Sequence, residues 1–321
     1  MKKILAIIVI LCCLLSLVGV LSACEEDNWD NGNLKVVTTI FPEYDWTLNL
    51  LGEHEDEVNV RNLLNSGVDM HSYQATFRDK MYISTCDLLV YVGGESDDWV
   101  ETSLKQAANK DMVVIKLLDV IEDALDEADG IEGEEHDHDH EESAFDEHVW
   151  LSLRRAKIAV NAIAEALETL MPDSAETLAQ NAASYCEQLD ALDAEYRQVV
   201  DSTPTKTLVV ADRFPFAYLF DDYGLSYYAA FKGCSAANDP SWDTILTLVE
   251  KVDKLNAKVI IITESSDGKT AQQVKNKSQT KNQKILKLNS MQSVGANDRA
   301  NGVTYLSIMQ SNLDVLREAL Q

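Results

Sequence analysis

Residues 87–94 read DLLVYVGG, in which an unbroken apolar run at 88–92 ends at a pair of glycines. A short run of this kind, rich in apolar and aromatic side chains and closed by a turn signal, predicts a buried strand. A helix through Ala108 and a second strand at residues 112–117 follow it along the chain. Strands that alternate with helices in this way indicate a parallel sheet, and therefore an α/β layer fold.

The same alternation extends over the rest of the chain. Further β-rich runs occupy residues 34–40, 58–60, 207–211, 257–263 and 284–288, and a closing helix is expected at 301–320. Between the two sets of strands, residues 173–200 contain no Gly or Pro and place apolar side chains three and four residues apart, which predicts one long amphipathic helix. The expected organisation is an N-terminal α/β lobe (34–172), a linking helix (173–203) and a C-terminal α/β lobe (204–321).

The N-terminus has the layout of a secretory signal. Lys2 and Lys3 precede a charge-free apolar run at residues 4–20, which closes with the lipobox LSAC at 21–24. A transmembrane anchor is the alternative, but the run is at the short end for spanning a bilayer and a polar tract follows it. We therefore expect residues 1–23 to be removed, Cys24 to carry lipid, and residues 24–33 to tether the protein to the extracellular face of the membrane.

The chain is strongly acidic, with a formal net charge of -27. Loss of the predicted signal removes two lysines and no acids, which brings the charge to -29. Such a surface repels nucleic acid and attracts cations, so we expect no nucleic-acid partner. A monomer is expected.

One acidic segment also concentrates histidine. Residues 122–147 contain fourteen Asp and Glu and no Lys or Arg, together with His136, His138 and His140, and His148 follows directly. A solvated acidic loop would explain the carboxylates, but it has no need of imidazole. Imidazole and carboxylate are common ligands of Zn²⁺, so the segment indicates metal binding.

The cysteines do not form a metal-binding pattern in the sequence. Once the signal is removed and Cys24 is acylated, Cys86, Cys186 and Cys234 remain, an odd number at wide spacing without a CxxC pair. We interpret them as small buried hydrophobic residues, one pair of which could oxidise outside the cell.

Four motifs resemble a known family. The segments TTIFP (38–42), GVDMHSY (67–73), DEHVWLS (146–152) and YGL (223–225) are similar, in order and spacing, to the zinc- and manganese-binding lipoproteins of metal ABC transporters, the cluster A-I solute-binding proteins. The resemblance implies two Rossmann-like lobes joined by a single rigid helix. It also implies one metal in the cleft between the lobes and a His-rich loop beside its mouth, a loop that favours zinc over manganese.

Carried over residue by residue, the resemblance implies His71 and His148 as two metal ligands. The third ligand position, usually His or Glu, falls on Arg213, whose guanidinium does not bind metal, so the neighbouring Asp212 is the candidate. The fourth position, usually Asp, falls on Asn289, whose neutral amide is a weaker zinc ligand than a carboxylate.

The identity of the remaining ligands therefore stays open. A nearby carboxylate, Asp212, Asp239 or Glu264, could complete the shell. Alternatively, the two histidines could hold the ion with water, joined by one of His136, His138 and His140, since zinc accepts three protein ligands and a water.

The resemblance and the lipobox favour a protein that captures Zn²⁺ and delivers it to an ABC permease rather than an enzyme. A zinc-dependent surface hydrolase is the first alternative, with metal-bound water as nucleophile and Asp146 or Glu147 as base. A Mn²⁺-specific binding protein or an adhesin is the second. The sequence lacks HExxH, P-loop and GxSxG signatures. A capture protein should enclose the ion, whereas a hydrolase needs a pocket of some hundreds of cubic ångströms.

Overall fold

The computed structural model describes residues 28–125, 145–231, 233–234 and 239–321. Its N-terminal lobe contains, in chain order, β1 (Leu34–Thr38), α1 (Phe41–Leu51), β2 (Val58–Asn62), α2 (Phe77–Thr85), β3 (Leu88–Tyr91), α3 (Asp98–Leu104), β4 (Val113–Lys116), α4 (Leu117–Val120) and α5 (Leu153–Leu170). The linking helix is α6 (Ala175–Asp201). The C-terminal lobe contains β5 (Thr207–Val210), α7 (Ala217–Tyr223), β6 (Ser226–Ala229), α8 (Trp242–Leu255), β7 (Val259–Thr263), α9 (Lys269–Lys277), β8 (Lys284–Leu288), α10 (Ala296–Ala300) and α11 (Tyr305–Ala319).

Each lobe is built on a four-stranded parallel sheet, as the alternating pattern predicted. The strand order is β2-β1-β3-β4 in the first lobe and β6-β5-β7-β8 in the second, so the two sheets share one topology. All four residues of β3 are buried, which explains its continuous apolar sequence. In both sheets the chain reverses its direction of winding at the central strands, and ligands of such folds bind outside the carboxyl ends of the strands there.

Helix α6 joins the lobes and packs against both. In its first half, the Asn181 side chain donates to the Leu50 carbonyl of the N-terminal lobe at 2.8 Å. In its second half, the Tyr196 hydroxyl donates to the Met309 carbonyl of the C-terminal lobe at 2.6 Å, and the Tyr196 ring stacks on Tyr223. The predicted two-lobe α/β fold with one long connecting helix is therefore confirmed.

Element boundaries moved where a side chain caps a helix. Helix α1 begins at Phe41, where the buried Glu43 carboxylate accepts hydrogen bonds from the Thr39 and Ile40 amides. The closing helix begins at Tyr305 rather than 301 because Thr304 caps it. None of the helices in the described ranges is both long enough and apolar enough to cross a membrane.

A buried arginine holds α5 against the C-terminal lobe. The Arg155 side chain is 2% exposed and donates to Asp222 Oδ1 at 3.0 Å, and Asp222 is itself 1% exposed. Arg155 also donates to Asp123 Oδ1 at 3.2 Å, and its guanidinium lies 4.6 Å from the centre of the Tyr218 ring. The network crosses between the lobes, because Asp222 and Tyr218 belong to α7.

Replacing Arg155 should therefore destabilise the protein strongly. We expect Arg155→Met to lower the free energy of unfolding by about 3–5 kcal/mol, because it leaves the Asp222 carboxylate buried without its nearest cationic partner. Lys157→Met is the matched control, since Lys157 lies on the same helix and forms an exposed ion pair with Asp190. It should change stability by less than about 1 kcal/mol. Urea denaturation of the metal-free proteins measures both, and equal effects would contradict the prediction.

Candidate metal centre

His71 lies in the segment that follows β2, in a short 3₁₀ turn at Met70–Ser72. The Asp69 carboxylate begins this turn by accepting the His71 amide at 3.0 Å. The ring Nδ1 lies 2.8 Å from the Ser96 hydroxyl, which belongs to the segment after β3. This bond fixes the ring and leaves Nε2 free to face the cleft.

His148 is held in a similar way just before α5. Asp146 Oδ1 accepts from both the His148 amide and its ring Nδ1, each at 2.8 Å, and the His148 side chain is 4% exposed. A carboxylate bound to one ring nitrogen orients the other nitrogen and makes it a better metal ligand.

The free nitrogens of the two rings face each other. His71 Nε2 and His148 Nε2 are 3.4 Å apart, which is longer than the usual range of roughly 2.7–3.2 Å for hydrogen bonds. Two nitrogens bound to one tetrahedral Zn²⁺ at the usual bond length would be about 3.3 Å apart. The spacing fits a shared metal ion.

Cys234 of the C-terminal lobe completes a group of three. Its sulfur, His71 and His148 each offer a ligand atom, and these atoms lie within 4.8 Å of one another. In the described ranges this is the group of His, Cys, Asp or Glu side chains that could hold a metal. All three cysteines are buried and free, as expected, but Cys234 differs from Cys86 and Cys186 because it lies beside two histidines.

The three groups alter one another's protonation. Burial alone would raise the pKa of Cys234, but hydrogen bonding and positive charge from His148 and His71 lower it to about 6. Burial opposes protonation of His148, yet the adjacent Asp146 carboxylate outweighs it and raises the histidine pKa well above its ordinary value. The thiolate form of the cysteine, which is the form that binds metal, is thus favoured here.

Glu147 approaches His71 at Nδ1, the ring nitrogen that does not face His148. Its Oε1 accepts the Ser96 amide at 2.8 Å, and its Oε2 lies 3.8 Å from His71 Nδ1. Oε2 is buried and has no hydrogen-bond partner among the described residues. The carboxylate fits this space because residue 94 is glycine: an added Cβ would collide with the Glu147 side chain, and the backbone φ of +81° is itself unfavourable for other residues.

The structure does not bring Asp212 or Asn289 into the group. Asp212 Oδ2 accepts from the Thr263 amide and hydroxyl at 3.3 Å, while Oδ1 accepts the Arg213 amide. Asn289 Oδ1 accepts the Met291 amide at 2.8 Å. Of the other carboxylates considered, Glu264 accepts both the amide and the hydroxyl of Ser290, and Asp239 is exposed.

Other predicted residues lie outside the described ranges. These are His136, His138 and His140 of the acidic segment and the lipidation site Cys24.

A cavity of about 610 Å³ opens beside the three donors. Its lining includes seven Asp and Glu residues, against Lys116 as the one Lys or Arg. Besides Asp146 and Glu147, these acids are Glu95, Asp98, Glu101, Asp119 and Glu122. A wall of this charge concentrates cations near the histidines.

Comparison with known proteins identifies the family of the chain. Residues 36–319 match the family model described as the periplasmic component A of the zinc-uptake complex, ZnuA. The chain belongs to the ZnuA family.

Curated members of the ZnuA family are similar to the chain along most of its length. It is 33% identical over 322 residues to the zinc-binding lipoprotein AdcA of Streptococcus pneumoniae, covering 99% of this chain and 61% of AdcA. It is 29% identical to the high-affinity zinc uptake system protein ZnuA of Bacillus subtilis, covering 89% of this chain and 88% of that protein. The chain thus spans about three fifths of the length of AdcA.

Solved structures of ZnuA-like proteins share the fold. The Zn(II)-bound ZnuA-like domain of S. pneumoniae AdcA superposes with a TM-score of 0.70 at 29% identity, covering 90% of this chain and 99% of the domain. The metal-dependent lipoprotein YcdH of B. subtilis gives a TM-score of 0.72 at 26% identity, covering 90% of this chain and 99% of that one. Recognition of the family from its motifs is confirmed.

Substitution at Gly94 should weaken metal binding through Glu147. We expect Gly94→Ala to lower the Zn²⁺ affinity about tenfold, the lower end of the usual effect of losing support behind a metal ligand, because it displaces the Glu147 side chain from His71. Gly224→Ala is the control: φ there is +61°, but no atom lies within 4 Å of the added Cβ. Both variants should lose stability, and calorimetric titration should detect weaker Zn²⁺ binding in Gly94→Ala alone.

Proposed function

We propose that the protein is an extracytoplasmic solute-binding protein that captures Zn²⁺ between its lobes and delivers it to an ABC permease. The observation that carries the proposal is the pair of imidazole nitrogens 3.4 Å apart, each ring anchored at Nδ1 by the N-terminal lobe. The names of the relatives, a zinc-binding lipoprotein and a zinc uptake system protein, support the same ion.

The position of the carboxylates favours capture over hydrolysis. A zinc hydrolase needs a base that faces the metal-bound water. Asp146 and Glu147, the two candidates, instead approach His148 and His71 at Nδ1, across each ring from the nitrogen that faces the cleft. The cavity of about 610 Å³ would admit an organic substrate and is the observation that keeps the hydrolase alternative open.

Collection of the ion follows from charge. The acidic segment at residues 122–147 and the acidic cavity wall raise the local concentration of cations, and the histidines of the segment bind zinc weakly before it reaches His71 and His148. The lipid on Cys24 keeps the protein on the extracellular face of the membrane, beside the permease.

Release follows from small movements of the lobes. Because α6 contacts both lobes along its length and the Arg155 network ties α5 to α7, wide hinge opening would break many buried contacts at once. Small tilting motions separate Cys234 from the two histidines without that cost.

Removal of either histidine should impair the site. We expect His71→Ala and His148→Ala each to weaken Zn²⁺ binding at least tenfold, about 1.4 kcal/mol, because each removes one of few inner ligands. His54→Ala is the control, since His54 pairs with Glu57 in another part of the lobe. Titrations of the mature proteins with Zn²⁺, and with Mn²⁺ in competition, measure the change. Unchanged Zn²⁺ affinity in both His71→Ala and His148→Ala would contradict the assignment of the site.

Deleting residues 132–142 should impair the collection of zinc by the acidic segment without removing the tight site at His71 and His148. We expect the deletion to abolish additional weak binding of zinc and to slow uptake when the metal is scarce. One tight site should remain, because His71 and His148 keep the hydrogen bonds that orient their rings. A variant with serine at positions 136, 138 and 140 keeps the carboxylates and tests the imidazoles separately. Loss of the tight site in either variant would mean that the segment supplies primary ligands.

A further inference from the structure

We infer that Cys234 binds the captured ion as a thiolate, that Arg213 positions it for this role, and that the site consequently selects thiophilic ions such as Zn²⁺ over Mn²⁺. The inference rests on the proposed function, because it concerns the same cleft. It assigns the third ligand to a residue type and to a loop different from those that the family resemblance implies.

The distances suit a site with two nitrogens and one sulfur. In a tetrahedral zinc site with the usual bond lengths, a nitrogen and a sulfur ligand are about 3.6 Å apart. The three donor atoms of His71, His148 and Cys234 already lie within 4.8 Å of one another. A small closure of the lobes therefore brings all three onto one ion, and water supplies the fourth position as in other three-ligand zinc sites.

Arg213 occupies the position at which the family resemblance implies the third ligand, and its side chain contacts Asp69 and Cys234 there. Its Nη1 lies 3.3 Å from Asp69 Oδ2 and donates to the Cys234 carbonyl at 3.3 Å. The other oxygen of Asp69 holds the His71 amide. One guanidinium thus connects the loop of the first ligand to the loop of the third across the cleft, and its fixed fork of donors suits both acceptors.

The sulfur of Cys234 also accepts a hydrogen bond from Gln292. Gln292 Nε2 donates to Cys234 Sγ at 3.2 Å and to Ser290 Oγ at 3.1 Å, so both of its hydrogens are used. Ser290 in turn donates to Glu264. Such a chain of hydrogen bonds orients a metal-bound thiolate, and it gives Glu264 a positioning role instead of a ligand role.

A thiolate ligand determines which metals are preferred. Soft sulfur ligands favour zinc and other thiophilic ions, whereas Mn²⁺ prefers carboxylate, carbonyl and water oxygens. Within the described residues no carboxylate joins the three donors, so the group lacks the ligands that Mn²⁺ prefers.

The spectrum of the Co²⁺-loaded protein tests the inference directly. The mature wild-type protein and Cys186→Ser, whose changed cysteine is buried on α6, should both show a thiolate-to-cobalt charge-transfer band in the near ultraviolet. Cys234→Ser should lack it. Absence of the band from the wild-type protein would overturn the inference without any variant of Cys234 having to fold.

Affinities provide the second test. We expect Cys234→Ser to bind Zn²⁺ at least tenfold more weakly and Mn²⁺ within about twofold of wild type, so that the preference for zinc falls about tenfold. Arg213→Gln should weaken Zn²⁺ binding while retaining the charge-transfer band, because the ligands remain and their positioning is lost. Loss of the band in Arg213→Gln with normal folding would assign more than positioning to Arg213 and contradict this part of the inference.

The two proposals can fail separately. If Cys234→Ser binds zinc as tightly as wild type while His71→Ala does not, the thiolate inference fails and zinc capture stands. If none of these variants changes zinc binding, the proposed function fails with it.

Discussion

The hydrogen bonds around Asp146 are the interaction on which the site depends. Its side chain holds both the amide and the ring of His148, its amide donates to the Leu125 carbonyl at 2.8 Å, and its carbonyl accepts the Tyr218 hydroxyl at 2.8 Å. Tyr218 belongs to the C-terminal lobe and also accepts the Leu125 amide. Asp146 therefore fixes one ligand, joins the two flanks of the acidic segment and ties both to the opposite lobe.

This arrangement explains why a buried carboxylate is tolerated between the lobes. An unpaired buried charge would be costly, but Oδ1, the amide and the carbonyl of Asp146 all have hydrogen-bond partners. The same holds for Arg155 and Asp222, which lie behind the site and join α5 to α7. The lobes are thus positioned by satisfied polar groups as well as by apolar packing, and the ligand positions follow from that. A site held in this way needs little reorganisation when the ion binds.

The sequence predicted the fold well because strand and helix signals are local. Both parallel sheets could be inferred from runs such as residues 87–92, and α6 from its apolar spacing. His71 and His148 could be singled out as candidate ligands because each lies in a short motif. Cys234 could not, because it pairs with no nearby Cys or His in the sequence and meets the histidines only when the lobes face each other. The available signal was indirect: an arginine at a ligand position suggests that the ligand lies elsewhere.

The parallel topology makes such a change of ligand feasible. Strands β5 and β6 are neighbours in register, with Val210 opposite Ala229, so the segments after them leave the same edge of the sheet side by side. Arg213 follows β5 and Cys234 follows β6. A ligand can therefore move from one segment to the next without altering the core, provided that a residue at the old position holds the new one in place. The hydrogen bond from the Arg213 guanidinium to the Cys234 carbonyl is such a link. Because His71 and Cys234 follow β2 and β6 at the carboxyl ends of parallel strands, the fold determines where the proposed site lies, and the residues at those ends determine which ion it would prefer.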